Sequence, residues 1–235
     1  MPPTEHSSSQ YDKDLDALRT KVLQMGGLVE AQIRGATDAY TTGNIDQVAQ
    51  IVQTDARVNG LEVTIDSECS HIIARRQPTA SDLRLVLAII KTVTDLERIG
   101  DEAEKIARMA KKVHERDRIV LPRFADVRHA ANIAITMLRR SLDSFARLDA
   151  AEAAQVIRQD TEIDSEFRSI MRELITYMME DPRTISTVMD IIWIAKALER
   201  IGDHSKNIAE YVIYIVKGTD VRHTDIENAE KQALA

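Results

Sequence analysis

Four acidic side chains stand in two identical settings, Glu97 and Asp101 within the segment LERIGD at 96–101 and Glu199 and Asp203 within LERIGD at 198–203. Four residues of spacing put both carboxylates of a pair on one face of a helix. Two acids so placed repel by about 0.2–0.5 kcal/mol on an exposed helix, and more when desolvated, so a positive charge belongs between them. Gly100 and Gly202 lie between the acids and let a neighbouring backbone or a bound ion come close. Further oxygen donors recur at the same spacing: Glu62 and Asp66 with Asp55 and Asn59, and then Asp160 and Asp164. Hard carboxylate donors without a matching set of Cys or His suit Mg²⁺, Ca²⁺, Mn²⁺ or iron better than structural zinc. His204, next to Asp203, points about 100° round the helix and is a poor ligand. The competing expectation is that the acids are solvated or paired locally, Arg98 with Glu102 and Asp101 with Lys105.

The elements that must carry these residues are long helices. Gly43-Asn44, Gln77-Pro78, the stretch from Asp117 to Pro122, Leu148-Asp149, Asp181-Pro182 and Gly218 punctuate the chain, and apolar residues between them recur at helical spacing, as in Val58, Leu61, Ile65, Cys69 and Ile72. The spacing predicts six helices over 11–42, 45–76, 80–116, 122–148, 150–180 and 183–217. Pro122 and Pro182 fall at first-turn positions, with Thr79 and Thr184 among the residues able to cap. Short connections make neighbours antiparallel. Residues 95–107 and 197–209 agree at eight of thirteen positions, and AQIVQTDARVN at 49–59 corresponds to AQVIRQDTEID at 154–164, with offsets of 102 and 105. Such a repeat implies an all-α fold of two tandem, pseudo-symmetric three-helix bundles, 11–117 and 118–218, with flexible tails at 1–10 and 219–235.

Composition narrows the function. With 31 basic against 38 acidic residues and a net charge of −7, there is no global positive field to attract nucleic acid or anionic lipid. One cysteine, Cys69, excludes an intrachain disulfide framework, and the polar start MPPTEHSSSQ lacks the pattern of a secretory signal, so a cytoplasmic location is expected. The longest run without Asp, Glu, Lys or Arg is 129–138, about half of the roughly 20 residues a membrane span needs, so membrane contact is expected only peripherally, through partners. Walker, dinucleotide, HExxH and nucleophile-elbow motifs are absent from the sequence. The enzyme alternative, a carboxylate-bridged di-iron oxidoreductase, calls for Glu-x-x-His on two helices. Only Glu68 to His71 fits, and its counterpart is Glu173 to Thr176. A purely structural helical scaffold, with incidental acids, is the third reading.

The duplicated LERIGD, with RRQPTASDLR at 75–84 before the first and YMMEDPRTI at 177–185 before the second, resembles the PhoU family, and GGLVE at 26–30, FARLDAAEA at 145–153 and YVIYIVKG at 211–218 extend the likeness over nearly the whole chain. The resemblance implies a non-enzymatic regulator of phosphate homeostasis that represses phosphate uptake and the phosphate-starvation regulon. It implies an adaptor between a phosphate ABC transporter and a sensor histidine kinase, often a homodimer. Some members bind multinuclear metal through paired E/D-x-x-x-D motifs, which here match Glu97 with Asp101 and Glu199 with Asp203, then Glu62 with Asp66 and Asp160 with Asp164; iron, zinc, manganese and magnesium stay open as the metal. The copies depart from symmetry, since Phe167 and Met171 stand opposite Glu62 and Asp66, and Asn59 opposite Asp164.

Overall fold

A computed structural model describes residues 5–78, 80–116 and 124–234, with side chains described from residue 11 onward except that of Phe124. Thr79, Pro122 and the expected boundary between the repeats at 117/118 lie outside the described residues. The helices are α1 (Glu5–Thr42), α2 (Gln47–Arg76), α3 (Ala80–Glu115), α4 (Phe124–Arg147), α5 (Ala150–Glu180), α6 (Ile185–Lys217) and a short α7 (Ile226–Leu234). Among the described residues there is no strand, and no helix is long and apolar enough to cross a membrane.

Local chemistry sets the ends. Gly43 and Gly218 take left-handed φ values of 73° and 75°, and their N–H groups close the last turns of α1 and α6 onto Ala39 O and Tyr214 O. Asp149 caps α5, its Oδ1 accepting from Glu152 N at 3.0 Å. Asp181 does the same for Arg183 N, opening a 3-10 turn at Pro182–Thr184 that leads into α6. Thr184, expected as a cap, instead donates its hydroxyl to Asp181 O at 2.7 Å. The tail at 219–235 departs from expectation over 226–234: α7 folds because Ile226, Ala229 and Ala233 make one short apolar face, Asp225 caps Asn228 N, and Glu230 pairs with Arg158 of α5.

The four helices α1, α3, α6 and α4 pack in a ring, each against the next, with α2 filling the angle between α1 and α3 and α5 that between α4 and α6. One continuous apolar core runs through all of them. Helices α3 and α6 are antiparallel: Asp95 faces His204, Glu102 faces Arg200, Lys105 lies over Trp193 and Arg116 reaches Asp190. These pairs mirror about Ile99 and Ile201, both wholly buried, so the two LERIGD segments cross at the centre of the molecule. Gly202 explains part of the tightness there. A Cβ at Gly202 would lie 2.8 Å from Ile163 Cγ2, so α5 rests directly on the backbone of α6. Gly202→Ala gains about 1 kcal/mol of helix propensity but forces a β-branched side chain off its rotamer, at about 1–3 kcal/mol. The expected outcome is a net loss of stability, read as a lower urea midpoint, with Gly60→Ala, where nothing lies within 4 Å of the added carbon, as the neutral or stabilised control.

Candidate functional site

The first acidic group forms where α3 meets α2. Glu97 and Asp101 project from α3 toward Asp55 and Glu62 of α2, and burial first, then repulsion from Asp101 for Glu97 and from Asp55 for Asp101, raises the pKa of each. Asp55 is 7% exposed and also raised, by desolvation first, while Gln32 of α1 and Asn59 donate to it at 3.3 Å each. Gly100 makes this meeting possible, since a Cβ there would stand 3.2 Å from Asp55 Oδ1 and 3.3 Å from Gln32 Oε1. The cation nearest the pair is Arg98, 3.5 Å from Glu97 and 3.9 Å from Asp101, with its own side chain 56% exposed. A charge so solvated offsets little, which is why the carboxylates stay raised. Asp66 is exposed, and its charge is felt at Cys69 rather than at Glu97.

The second group, where α6 meets α5, is built differently. Lys196 Nζ lies 2.6 Å from both oxygens of Glu199, and Lys206 Nζ lies 2.7 Å from Asp160 Oδ2. Asp203 keeps access to solvent, yet the protein crowding its carboxyl, with Glu199 and Asp160 adding repulsion, pushes it up to about 6. Asp164 is half-buried and is not among the charges that bear most on Asp203. His204 turns away from the acids of its own helix to Asp95 of α3, 2.7 Å from Nδ1 to Oδ1, and Asn207 and Tyr211 donate to the same carboxylate.

The local pairs expected from the sequence are replaced by other pairs, three of them still local to α3 and one reaching across to α6. Arg98 turns to Glu97 and Asp101, while Glu102 takes Lys105 at 3.2 Å and, across the repeat axis, Arg200 at 3.0 Å. Glu68 and His71, the Glu-x-x-His pair, line an open groove of about 310 Å³ between α1 and α2 with Asp14, Lys21, Arg75 and Arg76, and Glu68 is paired with Lys21.

Fitness for a metal differs between the groups. Among the described residues no three His, Cys, Asp or Glu side chains converge to hold a metal ion. The first group nonetheless has a fitting chemistry: hard oxygen donors, no lysine among them, and a buried Gln32 Oε1 without a hydrogen-bond partner beside Asp55 and Gly100. The residues that would hold a cation are Glu97, Asp101 and Asp55, with Glu62 beside them. In the second group ammonium groups already take the carboxylates of Glu199 and Asp160. Sequence reasoning missed Gln32, Lys196 and Lys206. Gln32 was legible as a polar residue on the otherwise apolar stripe Met25, Val29, Ala36, and the lysines as departures from Thr94 and Glu104 at the 102-residue offset.

The family model for the PhoU domain matches residues 22–110 and 127–212. The chain is 48% identical over 235 residues to a phosphate-specific transport system accessory protein PhoU homolog of Pseudomonas putida, covering 99% of this chain and 91% of the relative. It is 43% identical over 227 residues to the PhoU accessory protein of Escherichia coli K12, covering 97% and 93%. The crystal structure of PhoU from Pseudomonas aeruginosa superposes with a TM-score of 0.85 at 48% identity, over 89% of this chain and all of that one.

One buried acid gives the region a pH signature. Glu210, 9% exposed on α6, is pushed up to about 7 by burial, against the opposing charges of Lys206 and Arg222. Between about pH 4.5 and 7 the folded chain therefore holds a proton that the unfolded chain has lost, so this group costs stability as pH rises, and the cost is complete above 7. Glu210→Gln is expected to raise the unfolding free energy by on the order of 1–3 kcal/mol at pH 8, with the gain shrinking toward zero at pH 4, as measured by urea denaturation across the range.

Proposed function

This chain belongs to the PhoU family, and from that premise we propose that it is a non-catalytic regulator of phosphate homeostasis, which holds down phosphate uptake and the phosphate-starvation response when phosphate is plentiful. The observation that carries this reading is the identity of 43–48% with phosphate-specific transport accessory proteins over 97–99% of this chain, a span that takes in both repeats. It acts as a cytoplasmic homodimer, by contact, between a phosphate ABC transporter and a sensor histidine kinase. The surface supports such contacts: Ile185, Met189 and Trp193 stand exposed at successive turns of α6, with Lys105 over the Trp193 ring. Exposed apolar side chains in a row, one of them tryptophan, suit a transient partner interface. A divalent cation at Glu97, Asp101 and Asp55 would neutralise the first acidic group and tie α2 to α3.

Expression of this chain in Escherichia coli lacking its own PhoU tests the reading directly. Repression of a phosphate-starvation reporter should return in phosphate-rich medium, and a reporter that stays fully induced with the protein present and folded would overturn it. Met189→Ala with Trp193→Ala should lower capture of the transporter's ATPase subunit or of the kinase at least tenfold while leaving the melting temperature within a few degrees, since truncating an interface tryptophan removes about 2 kcal/mol or more of binding energy.

A further inference from the structure

The two acidic groups occupy equivalent positions in the repeat, yet the residues around them differ in a coordinated way. At the 102-residue offset Thr94 becomes Lys196 and Glu104 becomes Lys206, and at the 105-residue offset Glu62 becomes Phe167. The changes fit one another in space. Lys196 bridges both oxygens of Glu199 while its ammonium lies 5.4 Å from the centre of the Phe167 ring, so the aromatic face that replaces a carboxylate holds the lysine in place. Lys206 binds Asp160, the counterpart of Asp55, where the first repeat has instead the neutral amides of Gln32 and Asn59. The order Glu104–Arg108 is reversed to Lys206–Glu210, which brings the cation to Asp160 and sets the acid behind it.

We infer that Lys196 and Lys206 are tethered counter-ions that lock the second acidic group, so that Glu199, Asp203, Asp160 and Asp164 take no metal and any divalent site of this chain lies on the first repeat. A metal entering the second group would have to displace one ammonium from both oxygens of Glu199 and another from Asp160. Both would remain beside it on short tethers, repelling it across a partly desolvated space. The oxygens left without a bonded ammonium are Asp160 Oδ1, buried and unpartnered, and those of Asp203 and Asp164, exposed and half-buried, so an entering ion would meet both tethered lysines at the carboxylates that face it from α5 and α6. The inference rests on the family reading only in taking a metal as the ligand to be excluded. It does not need the first group to be loaded.

The experiment is a titration of the full chain with MnCl₂, by calorimetry and by thermal melting, on the wild type, Glu97→Gln with Asp101→Asn, Glu199→Gln with Asp203→Asn, and Lys196→Thr with Lys206→Glu, which gives the second group the residues of the first at the two lysine positions. The wild type and the Glu199/Asp203 variant should bind the same number of Mn²⁺ per chain. The lysine variant should bind one more, with a Mn²⁺-dependent rise in melting temperature that Glu199→Gln abolishes. Loss of a bound equivalent on changing Glu199 and Asp203 in the wild-type background would overturn the inference. So would a folded lysine variant that binds no more Mn²⁺ than wild type. Where the double lysine variant does not fold, Lys196→Thr alone carries the test, with the same gain expected and the same absence of gain refuting. Failure of the first group to bind appears only in the Glu97/Asp101 comparison, and failure of the phosphate-regulator reading only in the reporter strain, so the three are separable.

Discussion

The burial of α3 against α6 is the constraint on which the rest depends. Val93, Leu96, Ile99, Ala103 and Ile106 of one helix, and Ala195, Ala197, Leu198, Ile201 and Ile208 of the other, are almost wholly removed from water. Burial of this kind, at roughly 25 cal/mol per Å² of apolar surface, fixes the register of the pair. Because each helix presents the same Leu-x-x-Ile-Gly pattern to the crossing, the register superimposes the two copies about Ile99 and Ile201. Each acidic pair is then carried to the edge of the central layer, where α2 or α5 must close over it. Gly100 and Gly202 set how closely they close. At Gly100 the approaching atoms are oxygens of Asp55 and Gln32, and at Gly202 the branched carbons of Ile163. The same glycine in the same place therefore admits a polar neighbour in one repeat and an apolar one in the other.

The architecture was legible from the sequence because it depends on local rules. Apolar spacing and breakers located six helices, of which α1 begins at Glu5 rather than 11 and the others lie within a few residues of expectation. The helix at 226–234 escaped because nine residues offer only two turns of pattern, and its stability comes from contacts with α5, including Arg158 to Glu230. Ion pairs were the least legible feature. Arg98 was expected at Glu102 and Lys105 at Asp101, both sound as pairs on an isolated helix. Once α6 lies opposite, Glu102 is 6% exposed and takes Arg200 as well as Lys105, so it is no longer a surface residue with a free choice. What could be read of the site was the set of acids and their duplication. Which acids are neutralised could not be read from helical spacing, since Lys206 reaches Asp160 across 46 residues of chain.

The polar contacts across the α3–α6 layer are asymmetric, although its apolar contacts are symmetric. On one side of the axis Asp95 collects His204, Asn207 and Tyr211, and the counterpart of Asp95 in the second repeat is Ala197, which can collect nothing. On the other side Glu102 collects Lys105 and Arg200, and its counterpart is His204 itself. Arg98 thus meets no acid where Arg200 meets Glu102, and it folds back on Glu97 and Asp101. The weak, solvated neutralisation of the first acidic group follows from the second repeat having a histidine at 204. The direct pairing of Glu199 and Asp160 in the second follows from its own two lysines, which leave Asp203 without a bonded cation.

This arrangement separates stability from responsiveness within a repeated scaffold. A buried carboxylate with a bonded ammonium is already at rest, and adding or removing a cation in solution changes little there. A buried carboxylate with only amide donors and a distant guanidinium is held in a costly state that an external cation, a proton or a cationic partner can relieve. Asp55 is in the second condition, with Glu97 and Asp101 beside it, less buried and paired only with the solvated Arg98, and Glu199 and Asp160 are in the first. Helices α3 and α6 are packed as one layer, and α2 lies outside it, closing over the first acidic group between α1 and α3.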